Sequence, residues 1–154
     1  MQVSVRGKND VLSKREVKFL VKQFGEVLLG PRLTENIYIL TQYIKNLDAY
    51  GYCSPTDQER HHREFEILLN PNISRNNQIR TIAHEMVHVY QFSRGLLRQT
   101  NGENYKWMGR KIYIGDIEYS KIPWEIQAFV MEDELYKWYQ KTLKEQVKNS
   151  QRTS

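Results

Sequence analysis

The sequence predicts an α+β fold: an N-terminal helix, a small mainly antiparallel sheet, a central helix and a long C-terminal helix. Three observations predict it. Apolar residues recur at helical spacing in the segments 13–29, 74–93 and 123–146. Between the first two lie runs rich in β-branched and aromatic residues, one of them with alternating polarity. The chain has 154 residues, 40% hydrophobic and 27% charged, which suits one domain with its own core. We assign residues 1–147 to that domain and 148–154 to a polar basic tail.

Residues 13–29 open with Ser13 as cap and Glu16 three positions on, and Val17, Leu20, Val21, Phe24, Val27 and Leu28 follow at helical spacing. Gly30-Pro31 should stop this helix. Strands are expected at 34–45, 48–54 and 62–69, where Phe65, Ile67 and Leu69 alternate with Glu64, Glu66 and Leu68. Their short connections suggest an antiparallel meander. Asn70-Pro71-Asn72 ends the third strand, and Ser74 can cap the central helix. Residues 95–121 are loop-rich, with one strand or a small hairpin within 111–119. Pro123 suits the first turn of the last helix, which should fray after about Gln146.

Composition excludes several classes. The apolar content rules out wholesale disorder, and no apolar run approaches the roughly 18 residues that cross a bilayer. Met1 to Asp10 lacks the apolar stretch of a secretory signal. Cys53 is the single cysteine, so an internal disulfide and a Cys-rich zinc finger are excluded, and a reducing cytoplasm is expected. The net charge of +5 is unevenly placed: +3 over 1–50, −2 over 51–136 and +4 over 137–154. A basic tail attracts polyanions, but it also describes an ordinary solvated helix end.

One motif carries chemistry. His84-Glu85-Met86-Val87-His88 is H-E-x-x-H inside the central helix, and histidines at i and i+4 stack on one face. Both imidazoles can meet one Zn²⁺, while Glu85 is placed to serve as general base. Ile79, Ile82, Ala83, Met86, Val87 and Tyr90 form an apolar stripe. The histidines point away from it, toward whatever packs on the other side. This composition yields such a match by chance about once in a hundred chains.

A catalytic zinc takes a third protein ligand. No histidine follows His88, and the position six residues on is Arg94, which excludes the metzincin pattern. The third ligand is then a carboxylate or one of His61 and His62. Glu125, in the first turn of the last helix, is the best candidate. Asp116, Glu118, Glu132 and Glu134 are weaker ones.

These residues resemble the gluzincin-type zinc metallopeptidases, in particular the small minigluzincins and more loosely the SprT-like proteases. The resemblance rests on His84-Glu85-x-x-His88, the run Glu64–Leu69 before it, and Pro123-Trp124-Glu125-Ile126-Gln127-Ala128 after it. It covers roughly residues 10–145. It implies a zincin-like fold, zinc held by His84, His88 and Glu125, and peptide hydrolysis with Glu85 as the base. It also implies a substrate strand along Phe65, Glu66, Ile67 and Leu68, at the sheet edge over the cleft. The chain departs from SprT-like proteins in lacking a third downstream histidine and a zinc ribbon. A second catalytic tyrosine, common in gluzincins, would be Tyr105, Tyr113 or Tyr119. The expected partner is a peptide or protein substrate, with no membrane. The rival reading is a non-catalytic zinc-containing binding module, with nucleic acid as a partner through the basic tail alone.

Overall fold

The computed structural model describes residues 1–153. Its first sheet holds β1 (Gln2–Arg6), β2 (Tyr38–Tyr43), β3 (Gly51–Pro55) and β4 (Glu64–Leu69), in the order β1-β2-β4-β3. The α+β class stands, but the antiparallel meander does not. β1 runs parallel to β2 and β2 parallel to β4; only β3 is antiparallel to its neighbour β4. A meander would need β2 to pair with β3, and β4 occupies that slot instead. β1 forms in the N-terminal segment, where no strand is expected. Its Val3 and Val5 alternate with Gln2, Ser4 and Arg6, a period-two signal in plain view. The parallel β1–β2 pair needs a long crossover, which the helix α1 (Lys14–Thr34) supplies.

This topology corrects the expected substrate strand. Phe65 pairs with Ile39 on one side and Pro55 on the other, and Ile67 with Thr41 and Cys53. β4 is therefore an interior strand with its backbone groups committed. Phe65 and Ile67 are core residues, and Glu66 and Leu68 point to the opposite face. The edge beside the central helix is β3.

α1 begins with a complete capping box: Glu16 N–H donates to Ser13 Oγ at 3.1 Å, and Ser13 N–H donates to Glu16 Oε1 at 3.4 Å. Gly30-Pro31 ends the regular helix as expected: Gly30 leaves helical conformation at φ 77°, open to glycine, and Pro31 starts a separate turn that runs to Thr34 across the kink. α2 (Arg75–Ser93) is capped by Ser74, whose Oγ accepts from Asn77 N–H at 3.2 Å. Val17, Leu20, Val21 and Phe24 of α1 form one core with Ile79, Ile82, Ala83 and Met86 of α2 and with Ile39, Phe65 and Ile67 of the sheet.

Beyond α2 the loop-rich stretch contains more order than expected. β5 (Leu97–Asn101), β6 (Asn104–Trp107) and β7 (Arg110–Tyr113) form a three-stranded antiparallel sheet. The expected strand or hairpin over 111–119 thus reduces to β7. A 3₁₀ turn at Tyr119–Lys121 leads into α3 (Pro123–Thr153). α3 does not fray after Gln146: no Gly or Pro interrupts it, and its terminal cations suit the dipole. Trp124 packs against Tyr105 and Trp107, with ring centroids 4.9 and 6.1 Å apart. The small sheet therefore pins the start of α3. Among the described residues no helix is long and apolar enough to cross a membrane.

Candidate metal centre

α2 supplies His84, Glu85 and His88 from its middle, and α3 supplies Glu125 from its first turn. All four are buried, between 4% and 7% exposed. Ligand atoms of His84, His88 and Glu125 lie within 4.8 Å of one another. Among the described residues this is the one group of three or more such side chains so placed. The two faces predicted for α2 are both real: the apolar stripe meets α1 and the sheet, and the histidine face meets α3.

Glu125 Oε1 sits 3.0 Å from His84 Nε2 and 3.0 Å from His88 Nε2. It also accepts from the Tyr119 hydroxyl at 2.9 Å. The far nitrogens of both rings are committed. His84 Nδ1–H donates to Glu132 Oε1 at 3.1 Å, and His88 Nδ1–H donates to Gln91 Oε1 at 2.8 Å. The Gln91 amide cannot turn round, because its NH₂ donates to the Trp124 carbonyl and to Gln127 Oε1, each at 2.9 Å. Neutral rings held this way turn both Nε2 lone pairs toward a carboxylate oxygen. Three electron-rich atoms then converge, and the contact is favourable only with protons or a cation between them. The donor set thus fits a metal ion, and Glu132 and Gln91 fix ring tautomer and orientation as outer partners of metal-bound histidines do.

The electrostatics agree. Burial opposes the charged form of His84, but hydrogen bonds to Glu125 and Glu132 outweigh it and lift the imidazole to about 9. His88 is raised for the same reason, with Glu125 as its partner. Burial pushes Glu125 up, yet the two imidazoles and Tyr119 hold it well below the usual carboxylate range. Glu85 goes the other way: burial raises it, and the nearby histidines only partly offset this.

Glu85, His84, Glu125, Tyr119 and Phe129 line one side of a cavity of about 540 Å³, and Gly51, Tyr52 and Cys53 of β3 line the other. Gly51 lets β3 come close. A Cβ there would meet Thr81 Cγ2 at 2.7 Å and Glu85 Oε1 at 3.1 Å. Phe129 covers the His84 ring, with centroids 4.6 Å apart.

The other candidates fall elsewhere. His62 Nδ1 pairs with Asp57 at 2.6 Å, and His61 Nδ1 lies 3.3 Å from the Ser93 carbonyl, so both serve the loop before β4. Asp116, Glu118 and Glu134 are exposed and outside the cluster, Glu118 lying 3.7 Å from Lys121. Tyr113 bonds Glu103, and Tyr105 stacks on Trp124; of the three tyrosines only Tyr119 touches the site. Glu132, expected as a weaker ligand candidate, instead holds the far nitrogen of His84, and Gln91 and Phe129 are site residues the sequence analysis does not name. Spacing was a usable signal: Gln91 follows His88 by one turn, and Glu132 follows Glu125 by two. No known protein family, curated protein or solved structure matches this chain.

Proposed function

We propose that this chain is a zinc-dependent endopeptidase of the gluzincin type. The observation that carries the reading is the convergence of both Nε2 atoms and the Glu125 carboxylate beside a buried, free-standing Glu85 at the wall of a cleft. The set of two histidines and one glutamate matches catalytic zinc, and the single cysteine suits a reducing compartment such as the cytoplasm. His84, His88 and Glu125 would hold the ion. When bound, zinc supplies Lewis acidity, activating water and polarising a carbonyl.

The remaining work falls to the chain's own groups. Glu85 is raised by burial and has no ion-pair partner among the described residues, which suits a base that takes a proton from water and returns it to the leaving amine. The β3 edge, rather than β4, offers backbone groups to an extended peptide across the cleft from Glu85. Tyr119 is neutral at any ordinary pH, since burial and Glu125 raise its phenol, and it can donate to charge developing on the substrate oxygen. The deciding experiment pairs zinc analysis with cleavage of an unfolded protein such as casein. Wild type should bind one zinc and cleave. Glu85→Gln should keep the zinc and lose cleavage. Full activity in Glu85→Gln removes it as base; zinc without cleavage in wild type favours a non-catalytic binding module.

A further inference from the structure

The small sheet β5–β7 carries a feature that the peptidase reading does not use. Arg98 stands directly opposite Lys106, and Lys106 directly opposite Lys111. A row of three cations therefore crosses all three strands on one face, at a spacing of about 4.8 Å. All three are exposed, and none forms an ion pair among the described residues. Like charges directly opposite destabilise a strand pair, so the row stores repulsion that a bound polyanion would relieve. The opposite face carries Leu97, Tyr105, Trp107 and Ile112, which pack inward toward Trp124. The cationic face thus points away from the body and from the cleft.

We propose that this face binds the backbone of single-stranded nucleic acid. Two observations choose that partner over an acidic protein. The face holds no aliphatic side chain: beside the cations stand Thr100, Asn104 and Tyr113. A protein interface needs a desolvated apolar centre, whereas phosphate recognition uses cations and amide or hydroxyl donors. Tyr113 lies two residues beyond Lys111 on the same face and is 52% exposed; its hydroxyl donates to Glu103 Oε2 at 3.1 Å, which fixes the ring as an aromatic surface next to the cations, with that one carboxylate against three cations. A concavity of about 470 Å³ adjoins them, lined by Asn104, Lys106, Lys111 and Tyr113 of this face and also by Tyr105 and Ile112 of the other. A positive groove with an aromatic platform suits a strand whose bases are free to stack. The basic end of α3 is a separate surface and plays no part in this assignment.

The test is fluorescence anisotropy with a labelled oligothymidylate of about 20 nucleotides, titrated across a salt series. Wild type should bind at low salt. The variant R98E/K106E/K111E should lose at least tenfold in affinity, and its slope of log K against log salt should shrink by about 2, given roughly 0.7 per phosphate contact. Tyr113→Ala should lose about fivefold with the slope unchanged. K141Q/K144Q/K148Q, on the far end of α3, should match wild type. Circular dichroism checks folding; if the triple variant unfolds, Lys106→Glu alone should lower the slope by about 0.7. The proposal is overturned if wild type does not bind at low salt, if the charge-reversed variants bind as wild type does, or if the α3 variant loses binding instead. Equal or tighter binding of polyglutamate overturns it in favour of an acidic protein, and tighter binding of a duplex overturns the single-strand assignment. None of these readings involves hydrolysis, so this surface and the proposed peptidase stand or fall separately.

Discussion

Individual side chains decide how firmly the site holds a cation. His84→Ala and His88→Ala should abolish metal binding, and Glu125→Ala should weaken it by one to several orders of magnitude, since each removes a ligand. Glu132 is not a bystander, as its place among the weaker ligand candidates implied. It fixes His84 at 3.1 Å, as Gln91 fixes His88 at 2.8 Å. Glu132→Ala and Gln91→Leu should each lower metal affinity by about 10- to 100-fold without removing a ligand, as competition with a chromogenic chelator would measure. Full affinity in both would discard the orienting role. Tyr119→Phe should keep the metal and lower kcat with little change in KM. The pH dependence follows from His84. In the metal-free chain its raised value, about 9, stabilises the fold fully below the unfolded value near 6.5, and this is lost as pH rises through 9. Metal affinity runs the opposite way, because the ion must displace that proton. Affinity should rise with pH up to about 9 and then level off. Calorimetry in buffers of different ionisation enthalpy should count protons released at neutral pH, and no release would contradict the shift.

At the scale of elements, two contacts place the candidate site. β3 lies against α2 because position 51 carries no side chain: a Cβ would approach Thr81 to 2.7 Å. Gly51→Val should push the strand outward and lower kcat/KM by about 10- to 100-fold while the metal stays bound, because misplacing a substrate strand acts on orientation. Unchanged activity would remove β3 as the docking edge. α3 starts where Trp124 meets Tyr105 and Trp107. The local sequence of 95–121 carries a loop signal and does not show this packing. The turn glycines dominate that segment locally, while the pairings that make three strands are visible only as cross-strand neighbours. The small sheet thus fixes the start of the helix bearing Glu125, so Trp124→Ala should weaken metal binding in the same chelator competition although the tryptophan is not itself a candidate ligand.

For the whole molecule, the candidate metal site would link ion and fold: its candidate ligands come from two helices that meet only in the folded chain, so an ion held there binds the native state alone. At a free metal concentration about 100 times Kd, stability should rise by about 2.7 kcal/mol, and the thermal midpoint by about 5–10 °C. A chelator should reverse the shift, and His84→Ala should show none. Phe24, fully buried where α1 meets the core and α3, is remote from the cluster. Phe24→Ala should cost about 3–5 kcal/mol through the cavity it leaves, measured by denaturant unfolding.

The sequence by itself determined the α+β class, the three helices and the candidates His84, His88 and Glu125 that the fold brings together. Those features are local: a period of 3.6, a cap, and an i, i+4 pair need no knowledge of what packs across from them. Only the tertiary structure decided the strand order. Short connections allow a meander, but β4 slips between β2 and β3 because its alternating apolar face completes the core between them. That choice buried the strand expected to meet substrate and left β3 at the edge. Tertiary structure also brought Gln91, Glu132 and Tyr119 to the site, and aligned Arg98, Lys106 and Lys111 in a row. Each of these depends on distance across a packed interface or a strand pair, and sequence separation carries no record of that distance.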